Sequence, residues 1–511
     1  MKQFLFPLFI LTFTNIFAQM KHDNTWLFNV YLGQKGDTVM QMKFNPEPNI
    51  TYQTGGATMY VMNASYSDRK GNLLLYSNGC VIMDGNHQII PGGDSINYGS
   101  NGWGDCLQGY GYARGPQSAM FIPQPNNEDS IINLFHLFGE GISDPIKGVK
   151  YYTFEVRKTE ISRIKNQWKV TDKNKTLLRD TLSFNSMVAT KHQNNKDWWI
   201  ILPDDSGSNT KNTYNILKIT KEGCSEVVKQ KIGDLLTGTL QCNFSPDGTK
   251  YALYNFVETY VSLFDFDRAT GTLSNYRKFN LPDTNRYGGC AFSPNSRFLY
   301  VTQLDKIWQY DTYAADIDAS RELVAVYDGF IDPSYDTTKT KKRSYFWQMQ
   351  QGPDCKLYIN APQYNKYLSY INKPNEKGVA CDVRQHAIYI RTGINKSLPY
   401  FPNYRLGTIY ENDCDTITEV GWLNPFLEND ALEIVPNPSQ GSFEVRNLTE
   451  VDEPTHLQIL NMTGQILYNK IIQPFSTNTI IDDHKLNSGI YIIHQRFNNK
   501  TLKSNKLVVI E

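Results

Sequence analysis

The 511-residue sequence has no excess charge of either sign, because 51 basic residues balance 51 acidic ones. Proteins that bind nucleic acid use a basic surface to neutralise phosphates, and anionic lipids attract polybasic segments. A balanced chain favours neither interaction. We therefore expect no nucleic-acid partner and no electrostatic docking to anionic membranes.

Motifs of the common enzyme and metal-binding classes are also missing. There is no G-x-S-x-G elbow, P-loop, H-E-x-x-H pair or dinucleotide fingerprint where the surrounding pattern would need it. None of the eight cysteines forms a C-x-x-C pair, and no Cys/His cluster or D-x-D-x-D-G loop has ligand spacing. We predict no metal and no cofactor. These absences lower the weight of an enzymatic function, which stays an alternative.

Long apolar runs occur only at the N-terminus. Lys2 precedes an apolar run from Phe4 to Phe17, and Ala18 offers a cleavage point. The run is short for a membrane span and has the flanks of a signal peptide. We predict a signal peptide at residues 1–18, with an uncleaved N-terminal anchor as the alternative. No later run is long enough to cross a bilayer, so the mature protein is expected to lack an integral membrane segment.

Three segments in the middle of the chain share one pattern. They start at Cys242 (C-N-F-S-P-D-G-T-K-Y-A-L-Y), Cys290 (C-A-F-S-P-N-S-R-F-L-Y-V-T) and Met349 (M-Q-Q-G-P-D-C-K-L-Y-I-N). In each, a strand ends at Ser-Pro or Gly-Pro, a polar turn follows, and two further strands come next. Proline cannot donate to a strand ladder, and Asp-Gly or Asn-Ser suits a hairpin turn. The pattern predicts β-propeller blades, which bury their faces against one another.

The copy that begins Phe292-Ser293-Pro294 resembles the repeat of surface-layer propellers, and more loosely that of WD-repeat propellers. It departs from the former at Gln303, where that repeat has asparagine. Three weaker copies of the strand–turn–strand pattern occupy residues 59–83, 118–156 and 187–219.

A seventh blade is predicted where the two ends of this region meet. Its strands would come from Trp26 to Leu32 and from the region between His386 and Ile409. The expected fold is all-β, with a seven-bladed propeller over residues 19–410. Six blades, eight blades and an array of β-sandwiches are the alternatives.

The last eighty residues carry three separated motifs in a fixed order: V-P-N-P-S-Q-G from Val435, a M-T-G-Q turn, and S-G-I-Y followed by K-L-V-V-I. Short strands between turns predict a small antiparallel sandwich. The residues that carry these motifs are Pro436, Asn437, Pro438, Gly441, Gly464, Gly489, Tyr491 and Lys506.

These motifs resemble the type A C-terminal sorting domain of type IX secretion cargo, at residues 433–511. The resemblance implies export by the type IX machinery, a secreted or outer-surface location, and removal of the domain during export. It also implies that the cargo is then released or attached to surface lipopolysaccharide. Residues 411–432 are acidic and without sustained periodicity, so they read as a linker. A generic immunoglobulin-like module is the alternative.

An exported chain meets oxidising conditions, so its cysteines can form disulfides. Sequence proximity favours Cys80 with Cys106 and Cys381 with Cys414, although connectivity does not follow from sequence. Each cysteine could equally be a small buried apolar residue.

The connection between Pro91 and Pro116 is the most unusual loop, because it combines many glycines with aromatic and charged residues. Aromatic faces beside polar groups suit the recognition of sugars or peptides. The candidate ligand-binding residues are Trp103, Tyr98, Tyr110, Tyr112, Asp105 and Arg114. The alternative is an inter-blade loop whose aromatics pack on the domain.

Polar residues that could serve an active site are Asp84, His87, His192, Asp204, Asp205 and His386. Adjacent acids such as Asp204 and Asp205 point to opposite faces of a strand, and in a D-D-S-G turn they more often cap the backbone. No catalytic residue is predicted.

The leading functional hypothesis is a secreted or cell-surface propeller that binds a glycan or a surface protein. One alternative is an extracellular propeller enzyme acting on polysaccharide or peptide, which predicts acids, histidine or metal converging in a central cleft. The other is a structural component of a surface or motility assembly, which predicts flat apolar or edge-strand interfaces.

Overall fold

The computed structural model describes residues 21–28, 38–45, 47–100, 103–112, 115–144, 149–183, 185–204, 211–236, 238–333, 341–394, 398–406, 432–440, 442–446, 448, 454–461, 465–482, 486–497 and 500–509. The chain divides into two compact units, one spanning residues 18–415 and one within residues 416–511. The predicted signal peptide and all but the last residue of the predicted linker lie outside the described residues.

Seven antiparallel sheets, blades 1 to 7 in chain order, make up the described part of the first unit. Blades 1 and 2 contain β1 (Thr25–Phe28), β2 (Thr38–Phe44), β3 (Pro48–Thr54), β4 (Ala64–Ser67), β5 (Leu73–Ser77) and β6 (Ile82–Asp84). Blade 3 contains β7 (Ala119–Pro123), β8 (Ile131–Asp144), β9 (Val149–Ile164) and β10 (Gln167–Asp180). Blade 4 contains β11 (Val188–Lys191), β12 (Trp198–Pro203), β13 (Thr213–Thr220), β14 (Gly223–Cys224) and β15 (Val228–Lys231).

Blades 5 to 7 match the three clear copies of the repeat. Blade 5 contains β16 (Thr239–Phe244), β17 (Lys250–Asn255), β18 (Tyr260–Asp267) and β19 (Thr272–Asn280). Blade 6 contains β20 (Gly288–Phe292), β21 (Phe298–Gln303), β22 (Lys306–Asp311) and β23 (Glu322–Val326). Blade 7 contains β24 (Met349–Gln351), β25 (Leu357–Ile359), β26 (Asn365–Ile371) and β27 (Val383–Ile394). The helical elements are α1 (Trp103–Leu107) and a 3-10 helix (Gly378–Cys381).

The hydrogen bonds of the Ser-Pro turns explain the sequence motif of the repeat. In blade 5 the Ser245 hydroxyl accepts a hydrogen bond from Lys250 N at 2.9 Å, and the Asp247 carboxylate accepts one from Thr249 N. The hydroxyl of Ser293 does the same for Phe298 N in blade 6, at 2.8 Å. Each side chain satisfies a backbone donor that the proline-ended strand leaves unpaired, so the turn reverses the chain tightly.

The first strands of the blades lie side by side around a common axis. Contacts join β1 to β4, β4 to β7, β11 to β16, β16 to β20 and β20 to β24, and a bridge between Gln117 and Ser186 joins blade 3 to blade 4. Strand β27 contacts β1 and β2, so blade 7 meets blade 1. This is a seven-bladed β-propeller, and the predicted all-β fold is confirmed.

The predicted closure of the ring by one shared sheet is wrong in the described residues. Strand β1 pairs with β2 in blade 1, whereas His386 lies in β27 of blade 7. Blades 1 and 7 meet by side-chain packing instead, since the rings of Trp26 and Tyr358 lie 5.3 Å apart. No strand was predicted for residues 38–54, so the hairpin of β2 and β3 in blade 1 was not anticipated.

A short run without regular secondary structure, residues 398–406, crosses the inner ends of the blades; we call it the axial segment. The Tyr400 hydroxyl accepts a hydrogen bond from Ala189 N of blade 4 at 3.1 Å. The Tyr404 hydroxyl donates to Phe121 O of blade 3 at 2.5 Å. These contacts attach one segment to two blades that lie far away in the sequence.

The axial segment reaches further blades through its other side chains. The Asn403 amide donates to Pro246 O beside blade 5, and the Arg405 guanidinium donates to Pro353 O beside blade 7. The ring of Phe401 stacks on Trp26 of blade 1 at 5.8 Å, and Tyr404 meets Tyr66 of blade 2 edge-on. All of its residues except half-buried Asn403 and Arg405 are buried, so the segment ties the blades together near the axis.

The second unit is a sandwich of two sheets. One sheet has the order β28, β29, β32 and the other β31, β30, β33, β34. The strands are β28 (Glu433–Val435), β29 (Ser442–Arg446), β30 (Thr455–Leu460), β31 (Ile466–Ile472), β32 (Asn478–Asp482), β33 (Gly489–Phe497) and β34 (Lys500–Val509). Phe443 and Ile481 of one sheet share a buried core with Ile459 and Ile493 of the other. The predicted C-terminal sandwich is confirmed, with β28 and β32 added to the five predicted strands.

We expect the Tyr404→Phe substitution to lower the free energy of unfolding of the propeller by about 1–3 kcal/mol, because Phe121 O loses its buried donor. Denaturant titration of the full chain measures this loss. Tyr287→Phe, at an exposed ring, is the matched control and should change nothing. Equal stability of the two variants would show that the axial segment does not brace the ring.

A second expectation concerns the loss of propeller stability at low pH. Burial lowers the pKa of His22, whose ring stacks on Tyr66, from 6.5 to about 4. As pH falls, His22 therefore binds a proton in the unfolded chain before it does so in the folded chain. The stabilisation is complete above about pH 6.5 and is lost as pH falls to about 4. His22→Asn should reduce the stability difference between these pH values by about 3 kcal/mol. Denaturant titrations at both pH values measure it, and the exposed His456→Asn should leave the difference unchanged.

Candidate functional site

Blade 2 has only three strands in the described residues, and the loop that follows β6 takes the place of a fourth. Ile90 N donates to Ile82 O at 3.1 Å, and Ile82 N donates to Gly93 O at 2.7 Å. Further along, Ile96 N donates to Cys80 O at 2.9 Å. We call residues 91–116 the aromatic loop. Its start is anchored to the blade along the edge of β6.

A disulfide anchors the middle of the aromatic loop. Cys80, just before β6, is bonded to Cys106 in α1, with a Cα–Cα distance of 5.6 Å. The predicted Cys80–Cys106 pair is confirmed. The predicted pairing of Cys381 is wrong, because Cys381 is a free buried thiol, and Cys355 is disulfide-bonded instead. Cys414 lies outside the described residues.

The tip of the aromatic loop presents aromatic rings to solvent. The side chain of Tyr98 is 68% exposed and meets half-buried Trp103 edge-on, with ring centroids 5.3 Å apart. Tyr110 is 37% exposed and lies 6.4 Å from the ring of Tyr60, which precedes blade 2. Leu107, at the end of α1, is 76% exposed. Trp103 and Leu107 are the first and last residues of α1, and Tyr98 and Tyr110 lie before and after the helix in the sequence. We call Tyr60, Tyr98, Trp103, Leu107 and Tyr110 the aromatic patch.

The other predicted members of the site have different surroundings. Tyr112 is fully buried, and its hydroxyl accepts a hydrogen bond from Gly139 N at 3.1 Å, so it supports the loop from within. Asp105 is half-buried in α1, and its carbonyl accepts a hydrogen bond from Tyr110 N. Arg114 lies outside the described residues. Sequence reasoning cannot separate Tyr112 from exposed Tyr98 and Tyr110, because each of the three stands next to a glycine.

The polar candidates for an active site are dispersed over several blades. Asp84 caps a turn by accepting from Asn86 N and Gln88 N. His87 is buried against the Tyr76 hydroxyl, and burial lowers its pKa. Asp204 is buried and forms an ion pair with Lys211 at 2.8 Å.

Two further histidines also have local partners. Burial lowers the pKa of His192, whose Nδ1 accepts a hydrogen bond from Asn194 N. His386 Nε2 lies 2.8 Å from Asp328 Oδ2, and its ring stacks on Phe330. Asp205 lies outside the described residues. Asp84 and His87 share one turn, in which His87 N donates to Asp84 O at 3.0 Å, whereas the other described candidates bond to different partners.

A solvent-open cleft lies where the first strands of blades 4 to 7 end, beside the axial segment. Its walls include Phe244, Phe292 and Phe401. Among its described lining residues Asp23 is the one carboxylate, and it forms an ion pair with Arg405 at 2.9 Å. Sequence reasoning missed this cleft, because the axial segment that completes it has no repeat pattern.

The described ranges hold neither a metal-ligand cluster nor a membrane-spanning helix. No group of three or more His, Cys, Asp or Glu side chains could hold a metal ion there. Within the same residues, no helix is both long and apolar enough to cross a bilayer.

The C-terminal unit ties its first motif to its last strand. Ser439 N donates to Val508 O, and Val508 N donates to the Asn437 side chain, each at 2.8 Å. Residues 433–511 match the family model described as the secretion system C-terminal sorting domain. The chain carries a type IX sorting signal. It is therefore exported to the medium or the outer cell surface, and its sorting domain interacts with the type IX machinery.

The motif residues within the sorting domain support its two sheets. Gly489 starts β33, and the hydroxyl of buried Tyr491 donates to Asn487 O at 2.7 Å. Lys506 lies in β34 opposite Ile492. Pro436 and Pro438 precede β29 in the lead-in segment, whereas Gly441 and Gly464 lie outside the described residues.

Solved structures similar to this chain include three with low sequence identity. A protein from Lactobacillus plantarum is 11% identical, with 74% of this chain and 99% of that chain covered and a TM-score of 0.41. A periplasmic gluconolactonase from Pseudomonas aeruginosa is 10% identical, with 74% and 99% covered and a TM-score of 0.39. A putative 6-phosphogluconolactonase from Bacteroides fragilis is 10% identical, with 76% and 99% covered and a TM-score of 0.38.

Identities this low do not transfer an activity. No curated protein matches the chain in sequence.

Deleting residues 435–511 should leave the propeller in the periplasm of a host with a type IX system, because the sorting domain is lost. Cell fractionation and surface protease accessibility measure the location, with the full chain as the control. Surface delivery of the truncated chain at the normal level would refute the role of residues 435–511 as the sorting signal.

Proposed function

We propose that the exported propeller is a binding protein that recognises a glycan through its aromatic loop. The observation that carries this proposal is the aromatic patch, where Tyr98 is 68% and Tyr110 37% exposed and half-buried Trp103 contacts the ring of Tyr98. A cluster of exposed apolar side chains marks an interaction site more often than a single exposed ring does. Their faces suit the apolar faces of sugar rings, and their polar edges suit hydroxyl groups.

Preorganisation supports the same proposal. The disulfide between Cys80 and Cys106 holds α1 against blade 2, and buried Tyr112 fixes the end of the loop. A loop that is already ordered loses less conformational entropy when a ligand binds. The patch can therefore bind a ligand without first folding the loop.

The charges of the central cleft favour binding over polysaccharide hydrolysis. A glycosidase of the common kind places two carboxyl groups on either side of the scissile bond. The described lining of the cleft holds one carboxylate, Asp23, which the guanidinium of Arg405 already neutralises. No second acid faces it among those residues. The aromatic loop holds two acids, Asp94 and Asp105, and Asp94 forms an ion pair with Lys173 at 3.6 Å.

We expect Tyr98→Ala and Trp103→Ala each to weaken glycan binding at least about tenfold, because each removes a ring from the patch. The full chain would first be screened on a glycan array, and the strongest ligand would then be measured by calorimetry. Tyr287→Ala is the matched control. This tyrosine is 59% exposed and lies in the connection before blade 6, outside the aromatic patch.

Unchanged affinity in both patch variants would contradict the proposal. A negative array together with tight binding to a surface protein would contradict the choice of a glycan. Release of new reducing ends from a bound polysaccharide would replace the binding function by an enzymatic one.

A further inference from the structure

The cleft and the aromatic loop lie on different faces of the propeller. The end of the loop is fixed to residues that come before β4 or between β5 and β6: Met62 N donates to Tyr112 O, and Tyr112 N donates to Asn78 O. These residues stand where the first strand of blade 2 begins. The cleft is lined by residues toward the ends of the first strands of blades 4 to 7. The first strands of all blades run in the same direction along the axis. Their beginnings and their ends therefore mark opposite faces of the propeller.

Several hydrogen-bonding groups of the cleft are left for a ligand. The side-chain amide of Gln351 has no hydrogen bond within the described part of the chain, and Gln350 donates only to the neighbouring Gln351 O. Asn243 uses its amide nitrogen on Cys290 O, which leaves its oxygen as an acceptor. Arg405 Nε is buried without a partner in the described residues. The cleft therefore offers both donors and acceptors.

The charge of the cleft limits the class of ligand. Asp23 and Arg405 neutralise each other, and the remaining described lining residues are uncharged. An anionic or cationic ligand would meet no free counter-charge and would lose hydration on entering. Hydroxyl groups can donate and accept, so they match a mixed set of amide groups. The phenyl rings of Phe244 and Phe292 add apolar wall area.

We propose that this cleft is a second binding site, separate from the aromatic loop, that takes a short uncharged saccharide. Amides of Gln350, Gln351 and Asn243 would hold its hydroxyl groups, and the aromatic wall would cover its apolar face. Concave sites with aromatic walls and a few placed polar groups are typical of ligand binding. With one site on each face, a single chain can hold two saccharides at once.

Calorimetry on the full chain tests the second site, with neutral hexasaccharides of glucose, xylose and mannose as probes. The expected result for a bound probe is two sites per chain. Gln351→Ala should remove one site or weaken it at least about tenfold, because a buried polar group of the sugar loses its partner. Trp103→Ala should remove the other site, and the double variant should remove both.

The control is Gln167→Ala, an exposed glutamine at the start of β10 that should leave both sites intact. Denaturant titration identifies any variant that is simply unfolded, and Gln350→Ala then replaces Gln351→Ala. Unchanged stoichiometry and affinity in the folded cleft variants would overturn the second site. If the parent chain has one site and only Trp103→Ala loses binding, the second site is overturned and the function of the aromatic loop is upheld.

Discussion

The propeller depends on closure of its ring, since each blade is a small sheet that buries its faces only between two neighbours. Blades 1 and 7 share no sheet in the described residues, so strand pairing does not provide closure. Aromatic packing of Trp26 on Tyr358 and the axial segment provide it instead. Side chains from residues 398–406 reach six blades, and most of those contacts are buried hydrogen bonds or ring contacts.

The same segment connects stability with recognition. It fills the axis on one side and forms a wall of the cleft on the other, where Phe401 and Arg405 face the ends of the first strands. The ion pair between Arg405 and Asp23 joins the segment to the start of blade 1 and also keeps the cleft neutral. A change in this segment would therefore alter both the ring and the chemistry of the cleft.

Much of the fold could be predicted from local sequence, and the failures have a common cause. Ser-Pro turns such as Ser245-Pro246 mark blades because their hydrogen bonds are made within a few residues. The bond between Tyr404 and Phe121 spans 283 positions and leaves no local pattern, so neither the axial segment nor the cleft was foreseen. The aromatic loop was recognisable by composition, but the burial of Tyr112 depends on Gly139 in another blade.

The sorting domain joins its opening residues to its final strand, through Ser439, Asn437 and Val508. The contact that completes the sandwich is therefore made between the two ends of the sorting domain. Removal of β34 alone would strip the lead-in segment of both partners, even when the propeller is whole.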